Sequence, residues 1–325
     1  MKVLFAGSPA IAVPALKALS EMELEGEPVV LAGLLTNPDR ARRHGHDEPT
    51  DVSVAAALLD NARKERGLAP IPQLKPEKLD ARAREDVAAL APDILVSFAY
   101  GRIFGPRFLA LFPHGGINIH PSLLPKYRGA APIPAAILAG EKETGICIQT
   151  LALEMDAGDI LASEHLTLSG RETTASLSKT VSEKAATVLR KLLLNFGPAF
   201  AAARPQEGQP IYCHQMKKEE GIIDWKKSAV EIDAHIRAYT PWPLSFTNLG
   251  NDTLFILEAC PLEQGAAHTS PAGTVLGTDK EKGILIQTGS GILAASRLQW
   301  QAKKALDWKA FHNGARAFIG SCLGT

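Results

Sequence analysis

Three residues in the middle of the chain have the types and spacing for chemistry: Asn118, His120 and, 38 residues beyond Asn118, Asp156. Asn118 and His120 close the run GINIH (116–120), whose apolar, β-branched character predicts a strand. A separation of two then puts both side chains on one face. Asp156 lies in Met155-Asp156-Ala157-Gly158-Asp159, a glycine-containing turn after a strand expected at Gly145 to Leu153. An amide and an imidazole so placed converge on one atom, and a carboxylate from the turn orients and charges the imidazole. With no serine or cysteine nucleophile in the trio, the chemistry it suits is oxyanion stabilisation and proton shuttling. A hydrogen-bonded turn is the other reading of the same residues.

Other motifs carry less. The turn Gly7-Ser8-Pro9 after the first expected strand lacks both glycine-rich phosphate-loop patterns, so neither a dinucleotide nor an ATP site is expected. The loop from Thr36 to Thr50 is polar and basic, with Arg40, Arg42 and Arg43 suited to phosphate. Its His44 and His46 have no further ligands nearby, so no metal is expected. Lys217-Lys218, Lys226-Lys227 and Lys303-Lys304 are local positive charges that fit either a solvated face or a polyanion contact. Cys147, Cys213, Cys260 and Cys322 are scattered, which predicts free thiols in a reducing compartment.

The elements that must position these residues follow from the hydrophobic pattern. Apolar runs at 3–7, 29–35, 93–99 and 116–120 alternate with helical spacing at 11–22, 52–68 and 85–90. Buried strands separated by helices predict an α/β domain, a doubly wound parallel sheet of Rossmann-like kind, over 1–196. The stretch 197–210 (GPAFAAARPQEGQP) reads as a linker. From 211 to 325 short strands divided by Gly and Pro, with one helix near 229–239, predict a small β-barrel. In 325 residues, 35 Lys+Arg balance 35 Asp+Glu, and 46% of residues are hydrophobic. That excludes a polycation and a disordered chain. No apolar run reaches bilayer length and no signal peptide is read, so a cytoplasmic protein is expected.

The segment NIHPSLLPKYRGAAP (118–132), with Gly145 and the later Asp156-Ala157-Gly158-Asp159, resembles the 10-formyltetrahydrofolate-dependent formyltransferases. FAGSPAIAVPAL (5–16), TNPDR (36–40), IDWKKSAVEIDAHIRAYTPWP (223–243), GTVL (273–276), GILIQTGSGIL (283–293) and AKKAL (302–306) extend the resemblance nearly end to end. Those of the second domain are similar to the branch of the family that acts on tRNA. The resemblance implies transfer of a formyl group from 10-formyltetrahydrofolate to the α-amine of methionyl initiator tRNA. The product is N-formylmethionyl-tRNA, used in translation initiation. It implies catalytic roles for Asn118, His120 and Asp156. It places the folate beside Phe98, Ala99, Tyr100, Gly101 and Ile103 and beside Ser122, Leu123, Leu124 and Pro125. Tyr100 and Ile103 are expected to line an elongated apolar pocket that reaches Asn118. The resemblance also implies an OB-like second domain for the acceptor arm, with tRNA contacts from Arg40, Arg42, Arg43, Lys217, Lys218, Lys303 and Lys304. No metal is implied, and a monomer is expected. Pro121, Arg102, His44 and His46 depart from the family's usual residues. Two other functions fit parts of the pattern: formyl transfer to a nucleotide-sugar amine, and an RNA-binding module without activity.

Overall fold

A computed structural model describes residues 1–41, 47–262 and 270–324. It divides into two compact units. One comprises Met1–Pro132, Glu143–Thr167 and Ser178–Cys213; the other comprises Ile133–Lys142, Leu168–Leu177 and His214–Thr325.

The first unit is built on a seven-stranded sheet. Its strands are β1 (Lys2–Ala6), β2 (Val30–Leu35), β3 (Gln73–Leu74), β4 (Ile94–Phe98), β5 (Gly116–His120), β7 (Glu143–Thr150) and β8 (Ile160–Thr167). Their order is β3-β2-β1-β4-β5-β7-β8. The first five are parallel. β7 runs antiparallel to both β5 and β8, which makes the sheet mixed at this edge. β7 is the reversed strand: the short connection 151–159 returns the chain as β8 antiparallel to it, so β8 again runs in the direction of β5. A two-stranded ribbon of β6 (Arg128–Gly129) and β9 (Tyr212–Cys213) completes the unit's strands.

Some of the helices start where the sequence supplies a capping side chain or an early proline. α1 (Val13–Leu24) carries proline in its first turn, and α2 (Asp51–Glu65) is capped by Thr50, whose hydroxyl accepts from the Ser53 N–H. Asp80 caps α3 (Ala81–Ala89) in the same way. Short helices α4 (Pro106–Leu109) and α5 (Pro132–Leu138) and the long α6 (Thr174–Leu194) follow. One apolar cluster joins Leu4, Leu35 and Leu95 to a run of stacked and tilted rings, Tyr100, Phe104, Phe108 and Phe112. The segment expected as a linker begins in helix α7 (Phe196–Ala201) and continues along the first unit, with Arg204 bridging Ile160.

The second unit is an OB-like antiparallel sheet. It holds β10 (Ser245–Leu249), β11 (Asp252–Leu262), β12 (Val275–Asp279), β13 (Gly283–Gln287), β14 (Ile292–Trp300) and β15 (Leu306–Asp307). Bulges interrupt β11 against β14, and such extra residues bend and twist a strand. Helix α8 (Ala229–Ala238) begins in a complete capping box of Ser228 and Glu231, and α9 (Trp308–Gly314) is capped by Asp307. Ile232, Ile236, Leu254, Ile256, Ile284, Leu293 and Phe311 form its core.

Candidate active site

Strand register assembles the site. β5 pairs with β7 so that Asn118 faces Gln149 and His120 faces Cys147. On β5's other side, Ser97 of β4 lies beside Asn118 and Phe98 beside Ile119. The connection from β7 to β8 then carries Asp156 back over the end of the pair. Its ends are tied by the Thr150 N–H donating to the Asp159 carbonyl at 2.9 Å and the Asp159 N–H donating to the Thr150 hydroxyl at 2.9 Å. Gly158 must be glycine, because a Cβ there would lie 1.8 Å from the Thr150 carbonyl oxygen.

Asn118, His120 and Asp156 meet. The Asn118 amide donates to Asp156 Oδ1 at 3.4 Å, and His120 Nδ1 lies 3.6 Å from Asp156 Oδ2. Two further donors orient the carboxylate: Gln149 Nε2 on Oδ1 at 3.0 Å and the Gly129 N–H on Oδ2 at 2.8 Å. Asp156 itself has φ 53°, and Tyr127 has φ 59°. Left-handed backbone is uncommon outside glycine; Asp adopts it several-fold more readily than most residues, whereas a Tyr there is held by its neighbours. The Tyr127 carbonyl accepts from His120 Nε2 at 2.8 Å. A carbonyl cannot donate, so Nε2 carries a proton, and Nδ1 is the nitrogen whose protonation changes.

Electrostatics fit a proton carrier. His120 is buried, and burial holds its imidazole below the ordinary value, while the Asp156 charge and the Tyr127 carbonyl pull it up. Opposed effects of this kind are what keep an imidazole neutral yet ready to accept a proton. Cys147, across the ladder from His120, is pushed up to about 11 by burial, so it is a neutral thiol and no nucleophile.

The residues expected around the folate divide into two sets. Phe98 and Tyr100 are core: Tyr100 is 1% exposed and stacks on Phe104. Ile103 is 75% exposed, and Ala99 and Gly101 are exposed with left-handed φ of 51° and 79°. The Tyr100 ring, expected to line an elongated apolar pocket, is packed inside the first unit and not open to solvent. It completes the cluster beneath the loop, and only Ala99, Gly101 and Ile103 face outward. Ser122 is fully buried and donates to the Lys126 carbonyl, which closes the turn of Leu123, Leu124 and Pro125. Leu123 and Pro125 border a cavity of about 340 Å³ together with Lys126, Tyr127, Glu143, Thr144 and residues 207–209.

Of the basic residues, Arg40 is exposed and its backbone bridges that of Glu48. Arg42, Arg43, His44 and His46 lie outside the described residues. Lys217, Lys218, Lys303 and Lys304 are exposed on the second unit. Among the described residues no His, Cys, Asp and Glu side chains gather in a group that could hold a metal, and no helix is long and apolar enough to cross a membrane.

Residues 1–193 match the family model described as formyl transferase, and residues 215–316 match the formyl transferase C-terminal domain. A methionyl-tRNA formyltransferase of Treponema denticola is 48% identical over 98% of this chain and 98% of its own length. The chain belongs to the methionyl-tRNA formyltransferase family. A second member, from Treponema pallidum strain Nichols, is 40% identical over 100% of this chain and 99% of its own. Among solved structures, the sugar 3N-formyltransferase WlaRD, in the presence of dTDP and 5-N-formyl-THF, superposes with TM-score 0.62 at 18% identity, covering 94% of this chain and 99% of that one. HypX from Aquifex aeolicus in complex with tetrahydrofolic acid gives 0.61 at 17%, covering 98% of this chain and 47% of that one. At these identities the likeness is one of fold.

Sequence reasoning missed the backbone groups at Tyr127 and Gly129 and the side chains of Gln149 and Gln206. Gln149 was within reach of it, because it becomes Asn118's neighbour once β5 and β7 are paired antiparallel. Gln206 lay in a segment whose composition signals only a connector.

Proposed function

We propose that this protein transfers the formyl group of 10-formyltetrahydrofolate to the α-amine of methionyl initiator tRNA, giving N-formylmethionyl-tRNA and tetrahydrofolate. The observation that carries the reading is the convergence of Asn118 and His120 on the Asp156 carboxylate at 3.4 and 3.6 Å. The donor supplies a formyl carbon bonded to a nitrogen that must depart with a proton. The exposed apolar face at Ala99 and Ile103, backed by buried Phe98 and Tyr100, fits a flat ring beside β5.

The protein's own groups then divide the work. An Asn amide has two N–H groups; one is held by Asp156, and the other serves the formyl oxygen as negative charge develops there. His120 receives at Nδ1 the proton released by the attacking amine, and returns it to the departing nitrogen. Asp156 stabilises the imidazolium formed between those two transfers. The amine–formyl bond forms as the folate nitrogen–formyl bond breaks, and no covalent enzyme intermediate is required.

Residues 1–196 carry the transfer and 211–325 hold the acceptor arm, with 197–210 joining them. Arg40, Arg42 and Arg43 and the doublets Lys217-Lys218 and Lys303-Lys304 meet phosphates. The chain works as a monomer in the cytoplasm, where its charged tRNA is made. The test offers purified protein 10-formyltetrahydrofolate with either methionyl-tRNA or an amino-sugar nucleotide. Formylation of the tRNA alone supports the reading; formylation of the sugar alone overturns it.

A further inference from the structure

Resting on that reading, we infer that Gln206 is the positioning residue that fixes the Asp156 loop and the direction in which its carboxylate faces. Gln206 Nε2 donates to the Asp156 carbonyl at 2.7 Å, to the Gly158 carbonyl at 2.9 Å and to Gln149 Oε1 at 3.0 Å. Its Oε1 accepts from Arg128 Nη2 at 2.8 Å and Nε at 3.1 Å. A guanidinium only donates, so Oε1 must face Arg128 and Nε2 must face the loop.

That constraint passes onward. Gln149 must turn its own oxygen to Gln206, which leaves its Nε2 to donate to Asp156 Oδ1. Orientation set at Arg128 thus reaches the carboxylate through two amides, and no member can flip alone without placing donor against donor. Arg128 secures the same loop a second time. Its Nη1 donates to Glu154 Oε1 at 3.2 Å, and the Tyr212 hydroxyl donates to the same oxygen at 2.9 Å. Gln206 touches carbonyls of the loop and a neighbouring amide; its action on the reaction passes through Asp156.

The substitution Gln206→Glu keeps the size and the Arg128 partner but turns an acceptor toward two carbonyls and Gln149 Oε1. Misplacing a positioned group by an ångström costs about a hundredfold. The expected result is a kcat lower by roughly tenfold to a hundredfold with KM for tRNA and folate changed less than about threefold. In an Asp156→Asn background the same change should lower kcat no further, because the group it positions has gone. An equal fold-loss in both backgrounds, or no loss in either, would overturn the inference. Should Gln206→Glu fail to fold, Gln206→Leu serves in the same cycle. A readout independent of activity is the NMR titration of His120 in Gln206→Leu. Displacing the Asp156 charge should lower the pH at which His120 protonates, and an unchanged titration overturns the inference. A wild-type protein that formylates no tRNA would instead overturn the functional reading, while the titration still judges Gln206.

Discussion

Replacing Asp156 by asparagine removes one charge and almost no volume, and the structure sets the cost. The carboxylate receives Gln149 and Asn118 on Oδ1 and the Gly129 N–H on Oδ2. An amide has one oxygen. If that oxygen stays with Gly129, the new NH2 confronts the NH2 groups of Asn118 and Gln149. Gln149 cannot turn away, because its own oxygen is held by Gln206. If the oxygen instead takes the Oδ1 position, the NH2 confronts the Gly129 N–H, a backbone donor that cannot flip, and donates to His120 Nδ1. The nitrogen that must accept the proton is then blocked. Each arrangement leaves a donor unsatisfied, at about 1–3 kcal/mol, and neither stabilises an imidazolium. Loss of a preorganised electrostatic group costs about 3 kcal/mol in the transition state, or roughly a hundredfold to a thousandfold in kcat. Single-turnover formyl transfer to methionyl-tRNA, with folding checked by circular dichroism, measures it. A folded Asp156→Asn protein within about threefold of wild type would refute this reasoning.

Three other outcomes follow from the same structure. The Tyr100 hydroxyl is buried with no hydrogen-bond partner among the described residues, so Tyr100→Phe should raise stability by up to about 1 kcal/mol in urea unfolding. It should leave the KM for folate unchanged, since the ring belongs to the core. Burial pushes His235 down to about 4, so between pH 6.5 and 4 the unfolded state binds the extra proton, and stability falls as the pH drops through that window. His235→Gln should flatten the decline by about 2 kcal/mol in denaturant melts at pH 7 and pH 4.5. The exposed doublets Lys217-Lys218 and Lys303-Lys304 should each flatten the slope of log Kd for tRNA against log salt when changed to alanine, by roughly 0.7–0.9 for every phosphate no longer neutralised. Kd at two salt concentrations checks this, and identical slopes would mean that the lysines are only solvated surface.

The strands that hold the site were legible because continuous apolar runs announce buried strands. GINIH is observed at its expected bounds, and DILVSFA contains β4. Asn118 and His120 were legible because a spacing of two puts both on one face of their strand. Strand direction alone does not bring Asp156 to them: β7 ends beside Ile117, near the start of β5, and the connection folds back along the pair to reach His120. The antiparallel edge was not legible, since an apolar run carries no sign of its direction; the connection between Thr150 and Asp159 accounts for β7 against β8 but not for β7 against β5. Tyr100 illustrates a second limit. The resemblance placed it beside the folate as part of the segment after the DILVSFA strand, but the aromatic residues at 104, 108 and 112 recur at helical-like spacing and draw its ring into their cluster. The support from Arg128 and Gln206 stayed hidden because it joins residues 78 positions apart, and no local pattern marks such a partnership.

If His120, set by Asp156, carries the proton in formyl transfer, its removal must stop the reaction without unseating the substrates. The direct measurement is the single-turnover rate at which wild type and His120→Ala move radiolabelled formyl from 10-formyltetrahydrofolate onto methionyl initiator tRNA. Wild type should transfer rapidly, and a folded His120→Ala protein that still binds tRNA should be slower by at least about a hundredfold. Comparable rates in the two proteins would contradict the assignment of His120 as the proton carrier.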